Sequence, residues 1–327
     1  MRGYRSPLGI ALAVVFSLAG CSSSGGAAPS GGSSSTPTVV PTPTSATSQT
    51  AASPAGSAAI ASSAPAATGP GIILFTSSRD NSAKGDQVYA MAPDGSNQRL
   101  LTKGLIGGFM PDLSPDGSKV AFSSDWNGSG NIYTMNVDGS NVTRVTANDF
   151  GSFHARWSPD GKQILYEGFA DGLHVVGADG SNDTKITDGS MGTWLPDGLH
   201  IALMVSHDGG KTWTIHVMNV DGTGDTTLTQ GGLPDWSPDG KRIAFAGDRD
   251  GKSGIFVMNA DGSGLQRLTA SPGAYDWPAW SPDGTKIAFQ RAATSDAPPD
   301  IWVMKADGSH EVNLTNSPTA KDWGPSW

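Results

Sequence analysis

Two histidines occupy the same position in consecutive copies of a sequence repeat, an arrangement that brings metal binding to mind. His174 and His216 each lie five residues before the aspartate of an Asp-Gly pair, and clustered imidazoles are common transition-metal ligands. The equivalent positions of the other copies are all aromatic: Tyr89, Tyr133, Phe256 and Trp302. A column of aromatic side chains indicates a packing position. A core role is therefore favoured for both histidines, and a metal site is the alternative.

The acidic residues are numerous, but their placement indicates turns and not acid catalysis. Many aspartates directly precede a glycine, and the only glutamates are Glu167 and Glu311. A glycosidase that works with two carboxylates is therefore poorly supported. The G-x-S-x-G elbow of serine hydrolases is absent from the sequence.

Two short turn sequences recur along residues 71–327. One is typified by "WSPDG" and the other by "MNADGS", whose aspartates are spaced 40 to 46 residues apart. A period of this length is typical of stacked or radial repeat units. Each unit offers four strand-like runs of about five residues, separated by the Pro, Asp and Gly residues that form tight turns.

Six four-stranded units predict an all-β fold, a six-bladed β-propeller, which leaves no long sheet edge exposed. The closing "PSW" corresponds to "PAW" at 278–280, and "IILF" at 72–75 corresponds to "KIAF" at 286–289. We therefore expect the C-terminal strand to be the inner strand of a blade whose other strands come from residues 71–103. Trp327 is then expected in a column of core residues with Leu113, Trp157, Trp194, Trp236 and Trp280.

The repeats resemble those of TolB-like propellers, which are WD-like in design, and the resemblance covers all of residues 71–327. It implies the fold strongly and the function weakly. TolB itself works in a periplasmic envelope complex and carries an additional N-terminal α/β domain. Here a different N-terminal segment takes the place of that domain.

Residues 1–20 are typical of a signal peptide. Arg2 and Arg5 precede an apolar run, Leu8 to Leu18, which is shorter than the roughly 20 residues that span a bilayer. The "LAGC" that ends at Cys21 resembles the lipobox of bacterial lipoproteins, which implies a lipid on Cys21. Residues 21–70 are rich in Ser, Ala, Gly, Thr and Pro and contain no charged residue. They predict a disordered tether.

Charge and cysteine content exclude several classes of protein. Outside the signal peptide there are 30 acidic and 19 basic side chains, a net charge of −11, which argues against nucleic acid or anionic membranes as partners. Membrane contact is expected only through the lipid. A single cysteine allows no internal disulfide. We expect a monomer without a cofactor.

The alternating strand directions place both turn sequences on one face of the propeller and the irregular loops on the other. Loops on a rigid scaffold favour binding, and Trp, Tyr and Arg favour interface hot spots. The candidate binding residues are Phe109, Phe153, His154, Tyr275, Trp277 and Trp323 near the loops, together with Asp112, Arg156 and Asp235 just before the core column.

The sequence therefore predicts a lipid-anchored propeller on the extracytoplasmic face of a bacterial membrane. It would bind a protein or peptide of the cell envelope and contain no catalytic residues. The alternative is a metal-dependent lyase or hydrolase that acts on a sugar or small molecule in the channel, with His154, His174 or His216 as ligands.

Overall fold

The computed structural model describes residues 71–80, 85–105, 107–125 and 130–327. The predicted signal peptide at 1–20, and the lipidated cysteine and tether at 21–70, lie outside these ranges. The regular secondary structure of the described residues consists of β-strands. Among those residues, no helix has the length and apolar character needed to cross a membrane.

The described residues form six antiparallel sheets of four strands each, which are the blades of a propeller. Blade I contains β24 (Asp322–Ser326), β1 (Ile73–Ser77), β2 (Gln87–Met91) and β3 (Arg99–Leu100). Blade II contains β4 (Phe109–Leu113), β5 (Lys119–Ser124), β6 (Asn131–Asn136) and β7 (Thr143–Arg144). Blade III contains β8 (Ser152–Trp157), β9 (Gln163–Gly168), β10 (Gly172–Gly177) and β11 (Thr184–Thr187). Blade IV contains β12 (Ser190–Trp194), β13 (His200–Val205), β14 (Thr214–Asn219) and β15 (Thr226–Gln230). Blade V contains β16 (Gly232–Trp236), β17 (Arg242–Arg249), β18 (Lys252–Asn259) and β19 (Gln266–Arg267). Blade VI contains β20 (Ala274–Trp280), β21 (Lys286–Ala292), β22 (Asp300–Lys305) and β23 (Val312–Asn313). The prediction of six four-stranded blades is confirmed.

Blade I joins the two ends of the propeller, as the sequence predicts. β24 pairs antiparallel with β1 through Leu74–Ser326, Thr76–Trp323 and Ser77–Asp322. A 2.6 Å ion pair between Arg79 and the fully buried Asp322 adds to this closure. The ring is therefore held by main-chain pairing and by one buried carboxylate.

The two faces of the propeller differ in their connections. In blades II to VI an "SPDG" turn, which reads "LPDG" in blade IV, links the first strand to the second. In all six blades an Asp-Gly turn links the third strand to the fourth, and we call the side with these turns the turn face. The loops between second and third strands and between blades form the loop face. In a typical turn, Asp116 Oδ1 accepts hydrogen bonds from Ser114 Oγ at 2.7 Å and Ser118 N at 3.0 Å. These bonds lower the pKa of Asp116, so the aspartate shapes the turn.

The core lies between the blades and is formed by apolar strand residues. Trp157, Trp194, Trp236 and Trp280 are at most 7% exposed. Leu113 and Trp327 are only half-buried. Trp327 lies one residue beyond β24 and packs at the edge of the core cluster that contains Phe75. Being past the strand, it is covered on fewer sides than its four counterparts.

Candidate functional site

Every inner strand contains the same β-bulge, and the bulge shapes the central channel. The pairing register shifts in each inner strand three residues before the core column. At that position the backbone adopts a left-handed conformation, which bulges commonly contain. The φ angles are 51° at Met110, 57° at His154, 50° at Met191, 54° at Leu233, 54° at Trp277 and 58° at Gly324.

These bulge residues close the middle of the channel. His154 of blade III and Trp277 of blade VI belong to opposite blades, yet their ring centroids are only 5.5 Å apart. Such a contact is possible only across the axis. We call the five bulge side chains the channel plug, because all are at most 7% exposed: Met110, His154, Met191, Leu233 and Trp277. The sixth bulge residue, Gly324, has no side chain to contribute.

Side chains of the second strands hold three of the bulges in place. Thr76 Oγ1 accepts from Met110 N at 3.0 Å, and Ser123 Oγ accepts from His154 N at 3.1 Å. Glu167 Oε2 accepts from Met191 N at 3.0 Å. Each acceptor belongs to the blade before the bulge, so these three bonds tie blades I to IV together. We call them the inter-blade struts.

Three of the predicted binding residues form an aromatic cluster at the loop end of the channel. The Phe109 and Trp323 rings stack at 6.5 Å, and the Trp323 and Trp277 rings lie 6.2 Å apart. Trp323 Nε1 also donates to Asp86 at 3.2 Å. The cluster is continuous with the plug through the contact between Trp277 and His154.

His154 is the polar member of the plug. It is 5% exposed, and its Nδ1 has no hydrogen-bond partner within the part of the chain that the structure describes. Burial, with a further contribution from the charge of Arg156, holds the pKa of His154 well below its ordinary value. Its imidazole is therefore neutral at physiological pH.

Phe153 contributes to a second aromatic surface on the loop face of blade III. Its ring meets that of Phe169 at 6.2 Å, and Phe150 lies against His174 at 5.5 Å. Phe150 and Phe169 are 36% and 43% exposed. We call Phe150, Phe153 and Phe169 the blade III patch.

Tyr275 has a packing role. It is 1% exposed, and its hydroxyl donates to Ser271 O at 2.9 Å. Its ring contacts Phe289 at 6.0 Å, and the Arg291 guanidinium lies 5.3 Å from the ring centroid. Tyr275 therefore supports its loop from below and does not face the channel cluster.

Asp112, Arg156 and Asp235 lie at the other end of the channel, next to the "SPDG" turns. Asp112 Oδ1 pairs with Arg156 Nη1 at 3.1 Å and accepts from Ser326 Oγ at 3.0 Å. Asp235 accepts from Trp280 N at 2.8 Å. Burial, and to a lesser extent the charge of Asp112, raises the pKa of Asp235 to about 6, against the opposing charge of Arg156. We call this set the turn end.

The nine candidate residues therefore do not form one surface. Along an inner strand, three residues, or roughly 10 Å, separate the loop end from the turn end, and the plug lies between them. Sequence reasoning placed both groups beside the same loops because it did not take the length of each inner strand into account. The direction of the strand is the signal that separates the residues of the loop end from those of the turn end.

Sequence reasoning also missed Asp276, which lies between two of the named aromatic residues. The position directly before each bulge contains Phe109, Phe153, Ser190, Gly232, Asp276 and Trp323. Asp276 is the only charged residue in that column. It is 7% exposed, and burial alone raises its pKa to about 8. An ionisable group with such a shift beside a channel is a candidate functional residue.

The two histidines that share a repeat position are held by their own blades. His174 contacts Asp183 at 3.2 Å and Asp171 at 3.0 Å. His216 contacts Asp225 at 2.8 Å and Thr214 at 3.0 Å. Within the described ranges, no three His, Cys, Asp or Glu side chains come together in a geometry that could hold a metal ion.

A six-bladed propeller with a plugged channel is the class of protein that these features define. The sequence profile of the TolB beta propeller domain matches residues 44–193 and 187–327, and the chain belongs to this family. The first match begins inside the segment 21–70 that the sequence predicts as a tether. No curated protein matches the chain.

Solved structures support the fold. The chain is similar to TolB from Acinetobacter baumannii, with 19% identity and a TM-score of 0.69 over 79% of this chain and 66% of that one. It is also similar to a TolB-type structure from Agrobacterium tumefaciens, with 21% identity and a TM-score of 0.61 over 77% and 96%. Hydrazine synthase from Kuenenia stuttgartiensis shares 17% identity and a TM-score of 0.62 over 78% of this chain and 46% of that one.

These likenesses establish the fold and not an activity, because all identities are below 25%. The chain spans 66% of the length of the Acinetobacter TolB and 46% of that of hydrazine synthase.

Proposed function

We propose that the protein is a lipid-anchored, extracytoplasmic propeller that binds a protein or peptide of the cell envelope on its loop face. Membership of the TolB beta propeller family supports the binding role. The "LAGC" sequence ending at Cys21 supports the anchor, and a tether of this composition has a reach of roughly 40 Å.

The observation that carries the proposal is the blade III patch. Monomeric proteins seldom expose large contiguous apolar patches, and large patches that are rimmed by polar residues mark interaction sites. Phe150 and Phe169 come from two different loops, which are joined by a hydrogen bond from Phe169 N to Gly151 O at 3.0 Å. A side chain at Gly168 would come within 2.7 Å of the Phe150 ring. The local backbone thus permits this exposed arrangement.

The rim of the patch supplies the polar groups that an interface needs. Lys185 pairs with Asp171 at 3.2 Å and with Asp188 at 2.8 Å. These ion pairs are exposed and contribute little to stability, but they can orient a partner. An apolar centre with a charged rim is the usual arrangement of a protein–protein interface.

A capture experiment with the full-length protein tests the docking face. The native protein, a Phe150→Ser/Phe169→Ser variant and a Leu199→Ser/Leu265→Ser variant are used as baits in detergent-solubilised envelope. Leu199 and Leu265 are exposed apolar residues of the turn face, 64% and 47% accessible, and serve as the matched control.

The proposal expects an envelope protein that the native bait and the turn-face variant retain and the loop-face variant loses. Its direct affinity, measured with purified components, should fall by about ten-fold or more in the loop-face variant. Equal retention by all three folded baits, or loss only in the turn-face variant, would refute docking on the loop face.

The anchor is tested separately by Cys21→Ser. Since a lipid on Cys21 is the only membrane contact proposed, the variant should move from the membrane fraction to the soluble extracytoplasmic fraction. Membrane retention at the native level of a variant that is shown by its mass to have lost residues 1–20 would contradict the lipid anchor and leave the docking surface unaffected.

A further inference from the structure

The surroundings of His174 differ from those of His216, although the two histidines share a repeat position. His174 lies in β10, and each of its ring nitrogens meets a carboxylate. Its Nε2 lies 3.0 Å from Asp171 Oδ2, and its Nδ1 lies 3.2 Å from Asp183 Oδ1. A neutral imidazole has one N–H donor, and an ionised carboxylate only accepts. Only the protonated imidazolium can therefore donate to both carboxylates.

The charged and titratable neighbours of His174 keep both carboxylates in the accepting role. Tyr166 and Lys185 are its partners on the two adjoining strands. Hydrogen bonds from Lys185 and from His174 lower the pKa of Asp171, so that carboxylate is ionised. Burial, and then the hydrogen bond to Asp183, raises the pKa of Tyr166. The Tyr166 hydroxyl therefore keeps its proton and donates to Asp183 Oδ2 at 2.6 Å.

His216 has partners that suit a neutral ring. Its Nδ1 lies 2.8 Å from Asp225 Oδ1. Its Nε2 faces two hydroxyl groups, those of Thr214 at 3.0 Å and Thr227 at 3.2 Å. A neutral imidazole satisfies this set, because Nδ1–H donates to the carboxylate while Nε2 accepts from a hydroxyl. The same repeat position thus contains one histidine with partners for the neutral ring and one with partners for the imidazolium.

His174 contacts both loops that carry the exposed side chains of the blade III patch. Its ring centroid is 5.5 Å from that of Phe150, within the roughly 6 Å over which a cation is attracted to an aromatic ring. Its contact with Asp171 reaches the β9–β10 turn, which carries Phe169 and in which Asp171 N donates to Gly168 O at 3.0 Å. The protonated ring therefore holds Phe150 and the turn of Phe169 at the same time.

We propose that protonation of His174 strengthens docking at the blade III patch, so that the loop face binds its partner more tightly as the pH falls. The inference rests on the proposed function and adds its regulation. Loss of the proton leaves a ring lone pair against one of the two carboxylates and removes the attraction to Phe150. Asp149, the one charged residue among 145–151, also lies next to Phe150 in the chain and is exposed.

The direction of the effect follows from preorganisation and linkage. A surface that is already held in its docking arrangement loses less conformational freedom when a partner binds. The imidazolium holds the patch by two carboxylate contacts and one ring contact, whereas the neutral ring loses part of this set. Protonation therefore raises the affinity for the partner and, reciprocally, docking favours uptake of a proton.

Three variants separate His174 from its counterpart. His174→Phe removes the titrating group and keeps an aromatic ring, as Phe256 does at the equivalent position of blade V. His216→Phe is the matched control. Asp171→Asn supplies an amide, which can donate to a neutral ring or accept from a protonated one. Both protonation states of His174 are then satisfied.

The first measurement is the affinity of the envelope protein that the native bait retains, with purified full-length components at about pH 5.5 and about pH 8, since histidine side chains change charge in this interval. We expect the native protein to bind about five-fold or more tightly at the lower pH. The ratio should persist in His216→Phe and fall in His174→Phe and Asp171→Asn. Equal native affinities at the two pH values, or an undiminished ratio in His174→Phe, would overturn the proposal.

The second measurement needs no partner. NMR correlations of the histidine ring nitrogens in the full-length protein, assigned with the two phenylalanine variants, show whether each ring carries one proton or two. We expect two on His174 at the lower pH. We also expect the amide of Phe169, which donates to Gly151 O, to be better protected from hydrogen exchange there, after correction for the intrinsic rate. A singly protonated His174 ring at both pH values would overturn the proposal.

Failure of this inference is distinguishable from failure of the proposed function. If an envelope protein is lost with Phe150→Ser/Phe169→Ser but its affinity does not depend on pH, docking on the loop face stands and the role of His174 falls. If no bait retains a specific protein, the proposed function falls and its regulation with it. Thermal melting at both pH values establishes that each variant is folded, and a His174→Phe variant that fails to fold leaves Asp171→Asn to decide.

Discussion

At the turn end of the channel each charged side chain has a partner, whereas at the loop end a buried carboxyl of the described chain has none. Asp112 pairs with Arg156, and Asp235 accepts from a main-chain N–H. Asp276, one residue before the bulge of blade VI, faces Gln290 across the β20–β21 pair and has no hydrogen bond or ion pair with the described residues. The two ends are separated by the plug and are built from the same inner strands.

This difference indicates that the contacts at the turn end stabilise the fold more than those at the loop end do. Buried polar groups are normally satisfied, and the turn end follows that rule by linking blades I, II and III through Asp112. An unsatisfied buried group lowers stability and persists where another function requires it. The predictions below test this division.

Removal of residues 322–327 should have the largest effect, because β24 contributes to both ends. The deletion removes Ser326 from the turn end, Trp323 from the loop end and the Arg79 ion pair of Asp322. We expect a loss of at least about 5 kcal/mol in the free energy of unfolding. Trp327→Ala, which truncates a half-buried residue, should cost less. An unchanged melting temperature in the deletion would contradict ring closure by β24.

Asp112→Ala should destabilise the turn end by about 3 kcal/mol. The substitution leaves the Arg156 guanidinium without its carboxylate and removes the acceptor of Trp157 N and Ser326 Oγ. Chemical denaturation of the full-length protein measures the change. A loss no larger than that of an ordinary surface substitution would show that the turn end is not a stabilising network.

Asp276→Asn should have the opposite sign and stabilise the unliganded protein by about 2 kcal/mol at pH 8. The folded-state pKa of Asp276 is raised from 3.8 to about 8, so the folded protein binds more protons than the unfolded chain between these values. Stability from this group is therefore present at low pH and is lost as pH rises towards 8.

The variant should accordingly be less sensitive to pH between 4 and 8 than the native protein, as measured by denaturation at several pH values. A native protein that is as stable as the variant at pH 8 would mean that Asp276 has a partner in solution. In that case the contrast between the two ends of the channel would disappear.

Asp116→Ala should have the smallest effect, less than about 1 kcal/mol. Asp116 lies four residues after Asp112, but its carboxylate is exposed and bonds only within its own turn. The pair of variants compares one residue type in two environments. A larger loss of stability for Asp116→Ala than for Asp112→Ala would mean that the turns, and not the contacts at the turn end of the channel, stabilise the fold.

Much of the fold was readable from the repeat. The turn sequences and their period predict four strands per blade, six blades and closure by the C-terminal strand. Trp157 and Trp280 were correctly predicted to be core residues, because each lies directly before an "SPDG" turn at the end of a predicted strand. Trp327 was predicted to share their burial, but it is only half-buried because it lies past its strand.

The candidate site was readable only in part. Phe109, Trp277 and Trp323 were identified and do meet, whereas Tyr275 packs beneath its loop. Asp276 was overlooked because the sequence does not predict whether an aspartate among aromatic residues is buried or which side chains surround it. Phe150 and Phe169 were overlooked because the residue type alone does not predict whether an apolar side chain in a loop is exposed.

By itself, the sequence determined the elements, because turn chemistry and strand alternation act over a few residues and repeat six times. The tertiary structure alone decided which side chains lie across the axis, since the contact of His154 with Trp277 depends on ring closure and on the bulge. It also decided which polar groups have partners. Whether a buried polar group has a hydrogen-bond partner depends on the side chains of the neighbouring blade, and no local sequence pattern specifies those side chains.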